Sequence, residues 1–185
     1  MAGSDQTPDR PHGRRSFLVQ VAALRKQNGA TRDERREGVI PGLGAVSVVV
    51  PEGASVVLDL TLASYPGGIL ATGVVRAPWR GECRRCGGPV AGAVEAEVRE
   101  RYAPVGRTDR DDEAYPIDGD ELDLEPLARD AVLLELPLAP LCTDDCRGLC
   151  PRCGANRNTD PCDCAPEADP RWSALDALRD GGSST

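Results

Sequence analysis

Eight cysteines arranged as close pairs constrain this chain more than any other feature: Cys83 and Cys86, Cys142 and Cys146, Cys150 and Cys153, Cys162 and Cys164. Close pairs are how a chain delivers four thiolates to one tetrahedral ion. Two residues between the partners, then Gly, let a tight turn aim both sulfurs at one point. The chain has this twice, in Cys83-Arg-Arg-Cys86-Gly87 and Cys150-Pro-Arg-Cys153-Gly154. The second has a local partner, Cys162-Asp-Cys164, after the loop Gly154–Pro161. The spacing predicts a compact zinc site at Cys150, Cys153, Cys162 and Cys164, with Cys146 as a substitute for one of the four. Cys142 and Cys146 can instead join Cys83 and Cys86 in a second metal or structural site, because eight cysteines divide into two sets of four.

Other uses of the same sulfurs stay open. Cysteines alone also hold iron–sulfur clusters, and disulfides are a third use. Arg84 and Arg85 beside the first pair would lower a thiol pKa, which suits a thiol-redox or metal-relay protein using Cys83 and Cys86. Against redox work, Gly87-Gly88-Pro89 opens no helix that would activate the thiol.

A length of 185 residues suits about one domain plus a small appendage. No apolar signal region follows Met1, and the apolar runs Ala45–Val50, Val56–Leu62 and Ala131–Leu136 are too short for a membrane helix. The expectation is a cytoplasmic protein with reduced thiols and no membrane contact. His12 is the one histidine; no glycine loop with Lys-Ser/Thr and no Gly-x-Ser-x-Gly is present, so a non-enzyme is expected.

The net charge of −8 argues against a generic nucleic-acid binder. Its distribution is more informative. Residues 109–145 carry 13 acidic and two basic side chains, net −11, whereas residues 1–37 carry eight basic and five acidic, net +3. A basic protein partner is therefore expected at Asp109, Asp111, Asp112 and Glu113, with local phosphate contacts available to Arg80, Arg84 and Arg85.

Hydrophobic periodicity places strands at Val46–Val50, Val56–Ala63, Ile69–Ala77 and Val90–Tyr102, separated by turn signals such as Tyr65-Pro-Gly-Gly68. In the last strand Val94, Ala96 and Val98 face in, while Glu95, Glu97, Arg99 and Arg101 face out. Ser16–Leu24 is read as a strand, Asn28–Gly38 as a charged mobile loop with a solvated Arg32–Glu37 run, and residues 104–121 as an acidic loop. Asp123 caps a helix striped by Leu127, Ala131 and Leu134, with Pro126 in its first turn and Pro137 after it. Asp169-Pro170 opens a short final helix with Trp172, Leu175 and Leu178.

The expected fold class is α+β: an antiparallel β-sheet packed by a helix, with a small Cys-rich, zinc-stapled C-terminal module. The expected division is a disordered tail over 1–15, a core domain over 16–141, the zinc module and terminal helix over 142–180, and a tail over 181–185.

The run Leu136-Pro-Leu-Ala-Pro-Leu-Cys142-x3-Cys146-Arg-Gly-Leu-Cys150-Pro-Arg-Cys153-Gly-Ala-Asn156, followed by Cys162-x-Cys164 and Asp169-Pro-Arg171, resembles the bacterial YceD family. That is the large ribosomal RNA subunit accumulation protein family. Cys83-Arg-Arg-Cys86 after strands, and Asp120-Glu-Leu-Asp123-Leu-Glu125-Pro126 opening the helix, fit the same pattern. The resemblance covers roughly residues 16–178. It implies a cytosolic, non-enzymatic ribosome-biogenesis factor needed for accumulation or processing of large-subunit ribosomal RNA. A ribosomal precursor, a basic ribosomal protein or an assembly factor is then the natural partner.

Overall fold

Val56, Leu58, Leu60 and Leu62 recur at every second position because one face of an extended chain is buried there; Val56, Leu58 and Leu62 are fully enclosed. Each such side chain contributes about 1.5–3 kcal/mol relative to exposure. This strand lies inside an eight-stranded sheet. The computed structural model describes residues 14–105, 114–165 and 171. After a 3-10 turn at Arg14–Phe17 come β1 (Leu18–Gln20), α1 (Ala22–Arg25), β2 (Thr31–Gly38), β3 (Val48–Val49) and β4 (Val56–Tyr65). They are followed by β5 (Gly68–Glu82), β6 (Pro89–Pro104), β7 (Tyr115–Asp118), β8 (Glu121–Asp123) and α2 (Glu125–Glu135).

The strand order is β1-β8-β7-β6-β5-β4-β2, with β3 added to the far end of β5. All pairs are antiparallel except β6 with β7, which run parallel over three residues. The sheet curls until its two end strands meet: the Arg32 guanidinium on β2 donates to the Gln20 carbonyl on β1 at 3.0 Å. The fold is thus mostly β, a curled half-barrel with few helices, which narrows the expected α+β class to a sheet with one packed helix of more than one turn among the described residues. Helix α2 lays Leu127, Ala128, Ala131 and Val132 into the core shared with Leu58, Leu62 and Ile69.

Several expectations change. Within Ser16–Leu24 only Leu18–Gln20 is a strand, flanked by the 3-10 turn and α1. Residues 31–38, expected as a loop, form β2, paired along its whole length with β4. The charges themselves make this strand. Arg32, Glu34 and Arg36 share the core-facing side opposite Leu62, Leu60 and Leu58. Glu34 pairs with Arg36 at 2.8 Å and with Arg32 at 3.0 Å. Inward charges of this kind protect a sheet edge from further pairing. Val46–Val50 narrows to Val48–Val49, and Val46 is fully exposed. The acidic loop contains β7 and the first residue of β8.

The N-cap of α2 is Leu124, without a side-chain cap bond, rather than the expected Asp123. Asp123 lies one residue earlier, where its carboxylate accepts the Glu125 amide at 2.9 Å. The residue before Pro137 is extended, which ends α2. Leu134, however, is exposed, and Val132 takes the buried place. In β6, Val94 and Ala96 are buried while Val98 is half-buried. Asp109, Asp111, Asp112 and Glu113, residues 1–13 of the tail expected over 1–15, and Trp172, Leu175 and Leu178 of the final helix lie outside the described residues.

Candidate metal centre

The hairpin of β5 and β6 is the longest pairing in the sheet, running in register from Ile69 with Tyr102 to Glu82 with Pro89. Its tip is Cys83–Gly88. The Gly87 amide donates to the Cys83 carbonyl at 2.8 Å, and the Cys83 amide to the Gly88 carbonyl at 2.7 Å. The same turn recurs at the second Cys-x-x-Cys. There the Gly154 amide donates to the Cys150 carbonyl at 2.9 Å, and the Cys150 amide to the Ala155 carbonyl at 2.8 Å. Gly87 and Gly154 have φ of 70° and 74°, a left-handed conformation that glycine adopts without steric cost. Two knuckles of one geometry thus present two pairs of sulfurs.

Each knuckle meets a second pair. Cys83, Cys86, Cys142 and Cys146 form one cluster, the hairpin site; Cys150, Cys153, Cys162 and Cys164 form another, the C-terminal site. Within each, the sulfurs lie within 4.8 Å of one another. Cys146 therefore belongs with Cys83, not with the C-terminal four. The Sγ atoms of Cys83 and Cys146 are 3.7 Å apart, as are those of Cys86 and Cys142. A tetrahedral ion with metal–sulfur bonds of ~2.3 Å sets its ligand sulfurs about 3.8 Å apart. The residues thus fit a metal ion, and none of the eight cysteines is in a disulfide.

The electrostatics point the same way. Burial opposes ionisation of Cys83, but amide donors from Cys142, Cys86 and Arg85 outweigh it and hold the thiol at about 6. The Cys153 and Arg152 amides hold Cys150 at about 6 as well. Other sulfurs resist ionisation. The neighbouring Cys146 sulfur pushes Cys142 up to about 12, and Cys153 with Cys150 pushes Cys164 up to about 12. Burial opposes ionisation of Cys146 too, but the Asn158 side chain and the Gly148 amide outweigh it and lower its thiol. Each cluster therefore eases some ionisations and resists others, a charge problem that a bound cation resolves.

The hairpin site fastens residues 140–149 onto the core. The Arg84 amide donates to the Pro140 carbonyl at 2.9 Å, and the Leu149 amide to the Arg85 carbonyl at 3.1 Å. The Arg85 guanidinium donates to the carbonyls of Cys146 at 2.9 Å and Asp144 at 3.2 Å. Arg85 thus braces the site. Arg80, Arg84 and Arg85 border one open groove of about 1050 Å3 with Val46, Val49 and Leu149. Acidic side chains are exposed at Asp118, Asp120 and Glu121 on the β7–β8 turn, at Asp130 and Glu135 on α2, and at Asp144 and Asp145.

Sequence reasoning missed Asn158. Its Nδ2 donates to Cys146 Sγ at 3.3 Å from the loop between Cys153 and Cys162. The repeated asparagines of Asn156-Arg-Asn158 between two ligand pairs were the available signal.

The profile of the family described as "Large ribosomal RNA subunit accumulation protein YceD" matches residues 71–179, more than half the chain and both cysteine clusters. The chain belongs to the YceD family. An uncharacterized protein of Mycobacterium tuberculosis is 38% identical over 164 residues, 86% of this chain and 79% of that protein. An uncharacterized protein of Mycobacterium leprae is 37% identical over 138 residues, 72% of this chain and 63% of that protein. A protein of Arabidopsis thaliana named as a chloroplastic YCED homolog is 37% identical over 67 residues, 36% of this chain and 21% of that protein. No solved structure matches the chain. Among the described residues, no helix is long and apolar enough to cross a membrane.

Proposed function

We propose that this YceD-family chain is a ribosome-biogenesis accessory factor that supports accumulation or processing of large-subunit ribosomal RNA by binding rather than catalysis. The observation that carries the reading is the family match over residues 71–179, which takes in both four-cysteine clusters and helix α2. The metal in this reading is zinc at both sites, which favours tetrahedral sulfur ligands and has no redox chemistry. The zinc then holds the segment after Pro140 against the hairpin tip. The compartment in this reading is the cytoplasm, where thiols stay reduced.

The partner in this reading is a basic ribosomal protein or assembly factor met by the acidic stretch, net −11 over residues 109–145. Opposite potentials speed encounter, and salt weakens them beyond a Debye length of about 8 Å. Arg80, Arg84 and Arg85 would supply local contacts to RNA phosphate. A redox role for Cys83 and Cys86 has less support, because Cys83 is buried beside three other sulfurs and lies 3.7 Å from Cys146.

The test has two arms. Loss of the chain from its host should lower the ratio of large- to small-subunit ribosomal RNA; an unchanged ratio overturns the ribosomal reading. Asp109, Asp111, Asp112 and Glu113 replaced by Asn and Gln should cut recovery of precursor particles at low salt. Equal recovery moves the partner surface to Arg80, Arg84 and Arg85.

A further inference from the structure

The geometry points to Asn158 as the residue that couples the two metal sites, so that filling one tightens the other. This inference rests on the reading that both cysteine clusters bind metal. Asn158 lies between Cys153 and Cys162, both of the C-terminal site, yet its side chain reaches Cys146 of the hairpin site. The Arg147 amide donates to Asn158 Oδ1 at 2.8 Å, which fixes the amide's orientation. Nδ2 is thereby aimed at Cys146 Sγ at 3.3 Å, with Asn156 Oδ1 as its second acceptor at 2.8 Å. A donor to a ligand sulfur orients it and offsets its charge, and such outer contacts typically change metal affinity 10–100-fold.

Asn158 is one strand of a continuous connection. The Arg157 amide donates to the Gly148 carbonyl at 2.9 Å, and Leu149 forms a β-bridge with Asn156. On its other side, residue 149 is bonded to Arg85 in the hairpin knuckle. Residues 147–149 are thus held between one site's loop and the other site's knuckle. Residues 153–162 span ten positions with few apolar contacts of their own, so metal at Cys150, Cys153, Cys162 and Cys164 is what fixes the loop. Ordering the loop places Asn158 on Cys146. By linkage, metal at the hairpin site must raise the affinity of the C-terminal site by the same factor.

The experiment titrates the full chain, reduced and metal-free, with Co2+, reading thiolate-to-cobalt absorption against a competing chelator. Cys164→Ser disables the C-terminal site, and Asn158→Ala removes the link. Each should weaken Co2+ at the hairpin site by about 5–150-fold, the usual span of coupling between sites. The double variant should be no weaker than the worse single, because both act through one contact. Asn158→Asp keeps the acceptor for Arg147 but loses the donor to sulfur, and should behave like Asn158→Ala while folding as wild type by circular dichroism. Hairpin-site affinity within twofold of wild type in Cys164→Ser, fully additive losses, or wild-type behaviour of Asn158→Asp overturns the coupling. Failure of wild-type protein to bind Co2+ at either cluster overturns the metal reading itself.

Discussion

A Cβ on Gly148 would stand 2.9 Å from the carbonyl oxygen of Arg85, so the strap after Cys146 touches the hairpin knuckle backbone to backbone. Gly148 also has φ of 71°. Gly154 has nearly the same φ, 74°, but open space around it. The two positions separate conformational strain from crowding. Gly154→Ala carries only the left-handed cost of about 1–2 kcal/mol. Gly148→Ala adds displacement of the Arg85 carbonyl. Each 1.4 kcal/mol is tenfold in affinity. Gly154→Ala should therefore weaken metal at its own site by about tenfold, and Gly148→Ala should weaken the hairpin site by clearly more. Chelator competition on both variants measures this, and equal losses would mean that the knuckle yields freely.

Acid should release the cysteine segment before it unfolds the sheet. A sulfur must be ionised to hold an ion, so protons compete with metal. In the folded chain Cys83 and Cys150 are held at about 6, below the ordinary 9.0, so the unfolded segment binds more protons between these values. The stabilisation they contribute is full above pH 9 and is lost as pH falls through 6. Hydrogen exchange of the zinc-loaded chain under reducing conditions, at pH 9 and at pH 5 after correction for intrinsic exchange, should show protection over residues 142–164 lost at the lower pH while residues 56–65 stay protected. Equal protection of residues 142–164 at both values would leave the lowered thiols without a part in stability.

The sequence pattern reveals the cysteine clusters more fully than the sheet. Cys-x-x-Cys-Gly is a local geometric rule, so both knuckles are legible, and the division into two sets of four follows from counting. The membership of Cys146 depends on the fold carrying residue 146 to the hairpin tip, which no local pattern encodes. The strands of Val56–Tyr65 and Pro89–Pro104 are legible because apolar residues alternate. β2 is hidden because its alternation is one of charge: Arg32 and Arg36 both pair with Glu34 on the face where leucines would be expected. The parallel pairing of β7 with β6 covers three residues, Tyr102 to Pro104, too short a run for a periodicity to show.

Leu127 and Leu134 lie on one helix and predict opposite outcomes. Leu127 is fully buried, while Leu134 is 85% exposed. Leu127→Ala should cost about 2–5 kcal/mol through lost transfer energy and the cavity it leaves. Leu134→Ala should fall within about 0.5 kcal/mol of wild type. Urea unfolding of the zinc-loaded chain gives both values. A large loss at Leu134 would reveal a contact with a second molecule.

Removing metal should divide the chain into a part that stays folded and a part that does not. The sheet has its own core: Phe17, Leu58, Leu62, Ile69 and Tyr102 are fully buried together. Residues 142–164 bury little beyond Cys146, Gly148 and Cys150, so their order depends on the sulfurs being tied. The hairpin tip stands between these cases, because Cys83 and Cys86 sit at the end of a regular ladder that continues without them. Hydrogen exchange after chelation under reducing conditions should show full loss of protection over residues 142–164. Protection should fall partly over residues 82–90 and stay unchanged over residues 56–65. Retained protection at Leu149 and Cys150, whose amides bond to Arg85 and Ala155, would mean that backbone bonds alone fold the module. Loss across β4 as well would mean that the metal at the hairpin tip is needed for the whole sheet, and that its core is too small to stand alone.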